Sequence, residues 1–159
     1  CLTIICNKEE KMPGLTPVQI DKLLSGPIIA RLATVKPDGA PYIVPVWEYW
    51  DGEYLFIIPR ERSQFVEYIK NEPRVAVSCA DDVDPDHPRI LIEGEAEIVE
   101  GPVRMSGKTL DIAREMVVRY SGKPGLKYLD ETIDKSRYLL KIKPENITTW
   151  AKGWHPKYG

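Results

Sequence analysis

Apolar and polar positions alternate with a period of two along much of the chain, and shorter stretches of helical period interrupt them. The clearest alternation is "RILIEGEAEIV". Ile90, Ile92, Gly94, Ala96 and Ile98 fall on one face and Arg89, Glu93, Glu95 and Glu97 on the other. That pattern predicts a long strand with one buried and one solvated face. A glycine at its centre predicts a bulge or a barrel bend. Upstream, "IIARLATV", "YIVPVWEY" and "YLFIIP" are rich in β-branched and aromatic residues and are separated by the turns "KPDGAP" and Asp51-Gly52. They predict three successive strands of a meander. "RVAVSCA" adds a fourth strand, and "SRYLLKIKPENITTW" one or two more with Pro144 at the bend.

Helical spacing marks four segments. "TPVQIDKLLSG" has a cap-forming Thr16, Pro17 at the first helical position and Gly26 as its stop. "SQFVEYIKNEP" puts Phe65, Val66 and Ile69 on one face and ends before Pro73. "SGKTLDIAREMVVRY" is the longest, with Leu110, Ala113, Val117 and Tyr120 at helical intervals, and "LKYLDETI" predicts a short helix. Between strands, "DDVDPDHP" is too acidic and proline-rich for regular structure. Mostly antiparallel strands with helical insertions and no βαβ alternation predict a mainly β fold, a small barrel decorated by helices.

Composition narrows the functional classes. The chain has 159 residues, 43% of them hydrophobic and 29% charged, a size and balance suited to one globular domain. A formal net charge of −2 gives no reason to expect a nucleic-acid partner. No apolar run is long enough for a membrane-spanning helix. Three cysteines without a CxxC pair (Cys1, Cys6 and Cys79) fit a reducing, cytoplasmic environment, and Cys79 reads as a small buried hydrophobe. His87 and His155 stand alone, so no metal site is expected. Residues 1–15 read as an N-terminal extension with Met12 as a natural start, and 16–159 as the domain.

Most chemical motifs fail on inspection. "GPVRMSGKT" resembles a phosphate-binding loop, but five residues separate Gly101 from Gly107 where the motif needs four, and Pro102 removes an amide. Ser106 is better read as a helix cap. No G-x-S-x-G or H-E-x-x-H occurs. Two features remain. In "IIPRERSQ" a strand ends in Arg60 and Arg62, with Ser63 and Gln64 opening a helix. Guanidinium, hydroxyl and free helix amides suit an anion, although two arginines can equally well solvate a turn. The aromatic residues Trp47, Tyr49 and Trp50, with Trp150 and Trp154 at the tail, offer either core or flat walls for a planar ligand.

The order of these motifs resembles the pyridoxamine 5′-phosphate oxidase-like, FMN-binding split-barrel family. The resemblance rests on Leu32–Pro41 ("LATVKPDGAP"), the "VPVW" strand, the Asp-Gly hairpin, Asn71–Ser78, Ile92–Gly101 and Arg137–Trp150. It implies a split β-barrel of six to eight mostly antiparallel strands and a homodimer with two flavin sites at the subunit interface. Val44, Pro45, Val46 and Trp47, with Ile57, Ile58 and Pro59, would then lie along the isoalloxazine. Arg60, Arg62, Ser63 and Gln64 would hold the phosphate, and Trp150, Lys152 and Trp154 would close over the ring. Phe65 departs from the pattern, standing where relatives often carry a phosphate-binding lysine. The implied activity is an FMN-dependent oxidoreductase acting on a small molecule, with a deazaflavin-dependent reductase or a non-catalytic flavin-binding module as alternatives. Haem, which a few relatives bind, suits two loop histidines least.

Overall fold

The computed structural model describes residues 13–153. Seven strands form one antiparallel sheet: β1 (Ala30–Val35), β2 (Pro41–Val46), β3 (Tyr49–Trp50), β4 (Leu55–Ile57), β5 (Arg74–Ala80), β6 (Arg89–Arg104) and β7 (Ser136–Trp150). Their spatial order is β2-β1-β5-β6-β7-β4-β3. Four helices accompany them: α1 (Pro17–Leu24), α2 (Gln64–Asn71), α3 (Gly107–Ser121) and α4 (Gly125–Glu131). The fold is mainly β, as the alternation predicts.

Local signals act as expected. Thr16 and Gln19 form a reciprocal capping box at the start of α1, each side chain taking the other's backbone amide. Gly39 (φ 86°) and Gly52 (φ 99°) supply the left-handed turn residues that the two Asp-Gly pairs announce. In α2, Phe65, Val66 and Ile69 are buried. Each such side chain contributes about 2 kcal/mol by leaving water. Ser106 stands at the N-cap of α3, but its side chain makes no capping hydrogen bond. The glycine-rich stretch before it belongs to β6, so it forms no phosphate loop.

The long antiparallel pair β6–β7 is the backbone of the barrel. Its register slips at Gly94, where Glu93 pairs with Asn146 but Gly94 pairs with Pro144, leaving Glu145 as the extra residue. The bulge that the central glycine announces is therefore real. It bends the two strands so that both ends of the pair can serve different neighbours. The apolar face of β6 (Ile90, Ile92, Ala96) meets Leu32, Val77, Leu140 and Ile142 in the main core. Cys79 is buried there, and desolvation, reinforced by the nearby Glu48 carboxyl, pushes its thiol up to about 12.

The expected meander is not what forms. β2 pairs with β1, but β4 pairs with β3 and with β7 on the far side of the sheet. The chain leaves the ladder at Trp47–Glu48 and crosses the opening between the two edges, carrying Glu48 fully inside. Among the described residues no ladder joins edge strands β2 and β3. The barrel stays split there, and α3 lies across the split, with the Tyr120 hydroxyl accepting from the Glu48 amide (3.2 Å) and donating to the Ile28 carbonyl (2.8 Å).

Pro13 and Leu15 are tied to the end of β7. Ala151 N–H donates to the Pro13 carbonyl, and Leu15 N–H to the Thr149 hydroxyl. No described helix is long and apolar enough to cross a membrane.

Candidate functional site

A cleft of about 440 Å³ opens at the split. One wall is Val44, Pro45, Val46 and Trp47 at the end of β2, and the second is Ile57, Ile58 and Pro59 at the end of β4. Arg60 and Ser63 stand at its mouth. Nine residues named from the sequence therefore meet in one cavity, although their two segments lie towards opposite ends of the strand order. Trp47 remains 37% exposed, and its ring lies flat on Tyr120, with centroids 4.9 Å apart and planes 4° from parallel. That gives the cleft a rigid aromatic rim.

The third wall carries no signal in the local sequence. It comes from Met105, Ala113, Met116 and Val117 before and along α3, and from Tyr128 and Leu129 of α4. The apolar periodicity of α3 marks these positions as buried but not as facing a cavity. Phe65 lines the cleft while packing into the main core. The position that often holds a lysine in relatives here supplies apolar surface.

The charge missing at Phe65 appears elsewhere. Just past β4 the chain pairs again with the start of β7: Tyr138 N–H donates to the Pro59 carbonyl, Glu61 N–H to the Ser136 carbonyl, and Arg60 stands opposite Arg137. Residues directly opposite on antiparallel strands share a face, so both arginine side chains leave the strands on the same side, and both line the cleft. Neither has an acidic partner among the described residues. Arg60 donates to the Tyr128 hydroxyl (2.6 Å) and Arg137 to the Thr132 hydroxyl (3.3 Å). α4 thus orients both cations without neutralising them. Ser63, at the N-cap of α2, lines the cleft, and its side chain makes no capping bond.

Other expected site residues lie apart. Arg62 lines a basic annex of about 460 Å³ that shares Arg60, Tyr128 and Arg137 with the cleft and adds Lys135. Gln64 opens α2 but lines neither cavity. Trp150 sits at the opposite end of β7, under the Arg89 guanidinium (5.2 Å to the ring centroid), and the exposed Lys152 follows it. Within one chain these two do not reach the cleft. Trp154 and His155 lie outside the described residues. His87 is exposed in the acidic loop, with φ 50°.

Directly behind Trp47, Glu48 has no solvent exposure, and burial raises its carboxyl to about 8, with Arg119 opposing the shift. A raised carboxylate keeps its proton in the fold after the unfolded chain has released it. Its contribution to stability therefore falls as pH rises from 4.5 towards 8 and is level above that. The slope inside that window is about 1.4 kcal/mol per pH unit. Unfolding by urea across this range should show that dependence in the difference between wild type and Glu48→Gln. A flat difference would mean that Glu48 ionises normally.

Comparison with known proteins fits this geometry. A sequence comparison with curated proteins returns no match. Among solved structures, an F420 reductase is 27% identical with a TM-score of 0.62, over 80% of this chain and 94% of that one. A conserved hypothetical protein from Mycobacterium tuberculosis superposes with a TM-score of 0.71 at 24% identity, covering 89% and 88% of the two chains. The heme storage protein HutZ from Vibrio cholerae shares the fold at 18% identity, with a TM-score of 0.64 over 86% and 94%. Residues 16–151 match the pyridoxamine 5′-phosphate oxidase family over nearly the whole described chain. With its split barrel and motif order in agreement, the chain belongs to the pyridoxamine 5′-phosphate oxidase-like family.

Proposed function

We propose that the cleft binds a phosphorylated flavin-type coenzyme, FMN, and that the protein is a flavin-dependent oxidoreductase acting on a small molecule. The observation that carries this reading is the Arg60–Arg137 pair. Two arginines bridged through their backbones, neither with a carboxylate partner among the described residues, at the mouth of an apolar cleft with an aromatic rim, fit a phosphate joined to a flat ring. Arg60 and Arg137, with the Ser63 hydroxyl, would hold the phosphate. Val44–Trp47 and Ile57–Pro59 would flank the ring. Met105, Met116 and Leu129 would exclude water behind it.

Once bound, the coenzyme supplies the electron transfer, and the chain's own contribution is position, charge and dryness. No side chain needs to act as a catalytic acid or base. The open edge of β2, where Ile43 is 67% exposed beside Pro45 and Trp47, is the surface on which a second copy would complete a homodimer. Through that partner Trp150 and Lys152 would approach the ring. A cytoplasmic location accords with the free Cys79 thiol.

One observation favours a deazaflavin coenzyme as the second reading. The basic annex of Arg62, Lys135 and Arg137 continues beyond the phosphate position and would suit a coenzyme with further acidic groups on its side chain. The F420 reductase among the similar structures points the same way. The test is direct: heat-released ligand from the purified protein should have the mass of FMN or of a deazaflavin coenzyme, with the matching absorbance. A colourless protein that binds neither when they are added would overturn both readings. Bound flavin that neither NADH nor NADPH reduces would identify a binding module without turnover.

A further inference from the structure

Glu48 is the one carboxyl in the described residues that is buried completely, and neither of its oxygens has a hydrogen-bond partner. The groups around it come from several elements. Arg119 of α3 is nearest, with Nη1 3.7 Å from the carboxyl Oε1, but that nitrogen donates instead to the Leu24 and Glu48 carbonyls, each at 3.2 Å. Tyr120, also of α3, holds the Glu48 amide through its hydroxyl. The Cys79 thiol of β5 also feels the Glu48 charge. Burial first, and then Glu48, push the Tyr120 hydroxyl up to about 12, so it stays protonated throughout the physiological range. The same Tyr120 ring is the surface on which Trp47 stacks. A single peptide bond therefore links the aromatic rim of the cleft to a buried carboxyl whose oxygens accept no hydrogen bond.

We propose that Glu48 is a proton-dependent positioning residue for the cleft: in its neutral form it leaves Arg119 on the two carbonyls and holds Trp47 against Tyr120. Loss of the proton to solvent creates a buried carboxylate that, among the described residues, Arg119 stands nearest to compensate. The guanidinium then closes on the carboxylate and leaves the Leu24 and Glu48 carbonyls. With them it gives up its hold on the linker that crosses the split, and the Trp47 ring departs from its stack. The consequence for ligand binding rests on the proposed coenzyme site, whereas the movement of Trp47 does not.

Near-ultraviolet circular dichroism of the cofactor-free protein between pH 6 and 9 reads the stack directly. The wild type should lose the Trp47–Tyr120 signal with one midpoint near 8. The Trp47→Phe variant should lack that signal, and Glu48→Gln, which keeps the shape but cannot ionise, should hold it unchanged. In wild-type protein carrying ¹³C-glutamate, one carboxyl resonance should titrate at the same midpoint together with the Trp47 indole. Affinity for FMN should then fall about tenfold by pH 9 in the wild type, as the competent fraction shrinks, and stay constant in Glu48→Gln. A flat wild-type aromatic signal, an equal titration in Glu48→Gln, or no carboxyl titrating above pH 6 would each overturn the proposal. The full aromatic titration without FMN binding at any pH would support the positioning role and count against the coenzyme reading alone.

Discussion

Replacing Gly94 with alanine is expected to cost about 3 kcal/mol of stability, the upper range for forcing an extra carbon into a packed site. A Cβ at this position would lie 2.0 Å from the Lys143 carbonyl oxygen and 3.0 Å from its carbonyl carbon. Both are backbone atoms of β7, so no side-chain rotation can relieve the contact. The strands would have to part at the bulge, where the register changes and the barrel bends. Loss there propagates, because β6 and β7 join the β1–β5 side of the sheet to the β4–β3 side. Urea unfolding measures the effect as a lower midpoint with an unchanged slope. A change within about 0.5 kcal/mol, typical of an unremarkable surface substitution, would mean that the strand pair has room to spare.

The second large effect is on binding. Substituting both Arg60 and Arg137 with alanine is expected to weaken FMN binding by at least about 100-fold, since each charge-assisted hydrogen bond contributes roughly 1.5–3 kcal/mol. Stability without ligand should stay the same or rise slightly, because two like charges on the same side of the strand pair are removed. This opposite response of stability and affinity separates a ligand-binding pair from a structural one. Arg60→Lys keeps the charge but loses the planar fork, so an intermediate loss is expected. Arg62→Ala should cost FMN little, because Arg62 lines the annex and not the cleft. Isothermal titration with FMN checks the series. Unchanged affinity in the double variant would place the phosphate elsewhere.

Much of this site could be read along the chain. "IVPVW" and "IIPRERS" carry the β-side walls and Arg60, and their place in the motif order was enough to associate them. The place of Arg137 in the cleft was not legible. Its meeting with Arg60 depends on a pairing between the end of β4 and the start of β7, with β5, β6 and the helices α2, α3 and α4 between them in sequence. Phe65 was legible as a departure, but its compensation was not. The α3–α4 wall was legible only as apolar helix, because a buried face looks the same in sequence whether it meets a core or a cavity.

By itself the sequence determined the elements: alternation, caps and Asp-Gly turns act over a few residues, through backbone stereochemistry that needs no distant partner. In strands that alternate, such as β1, β5 and β6, it also determined which face is buried, since the pleat alternates sides whatever the neighbour. The tertiary structure alone decided which edges meet. Period-two alternation specifies a face but not a partner, and so β2 and β4, close in sequence, end on opposite sides of the split. It alone also decided that Glu48 is carried inside and Arg119 and Tyr120 close around it. Burial of a charge is the sum of many distant contacts, and no local pattern records that sum.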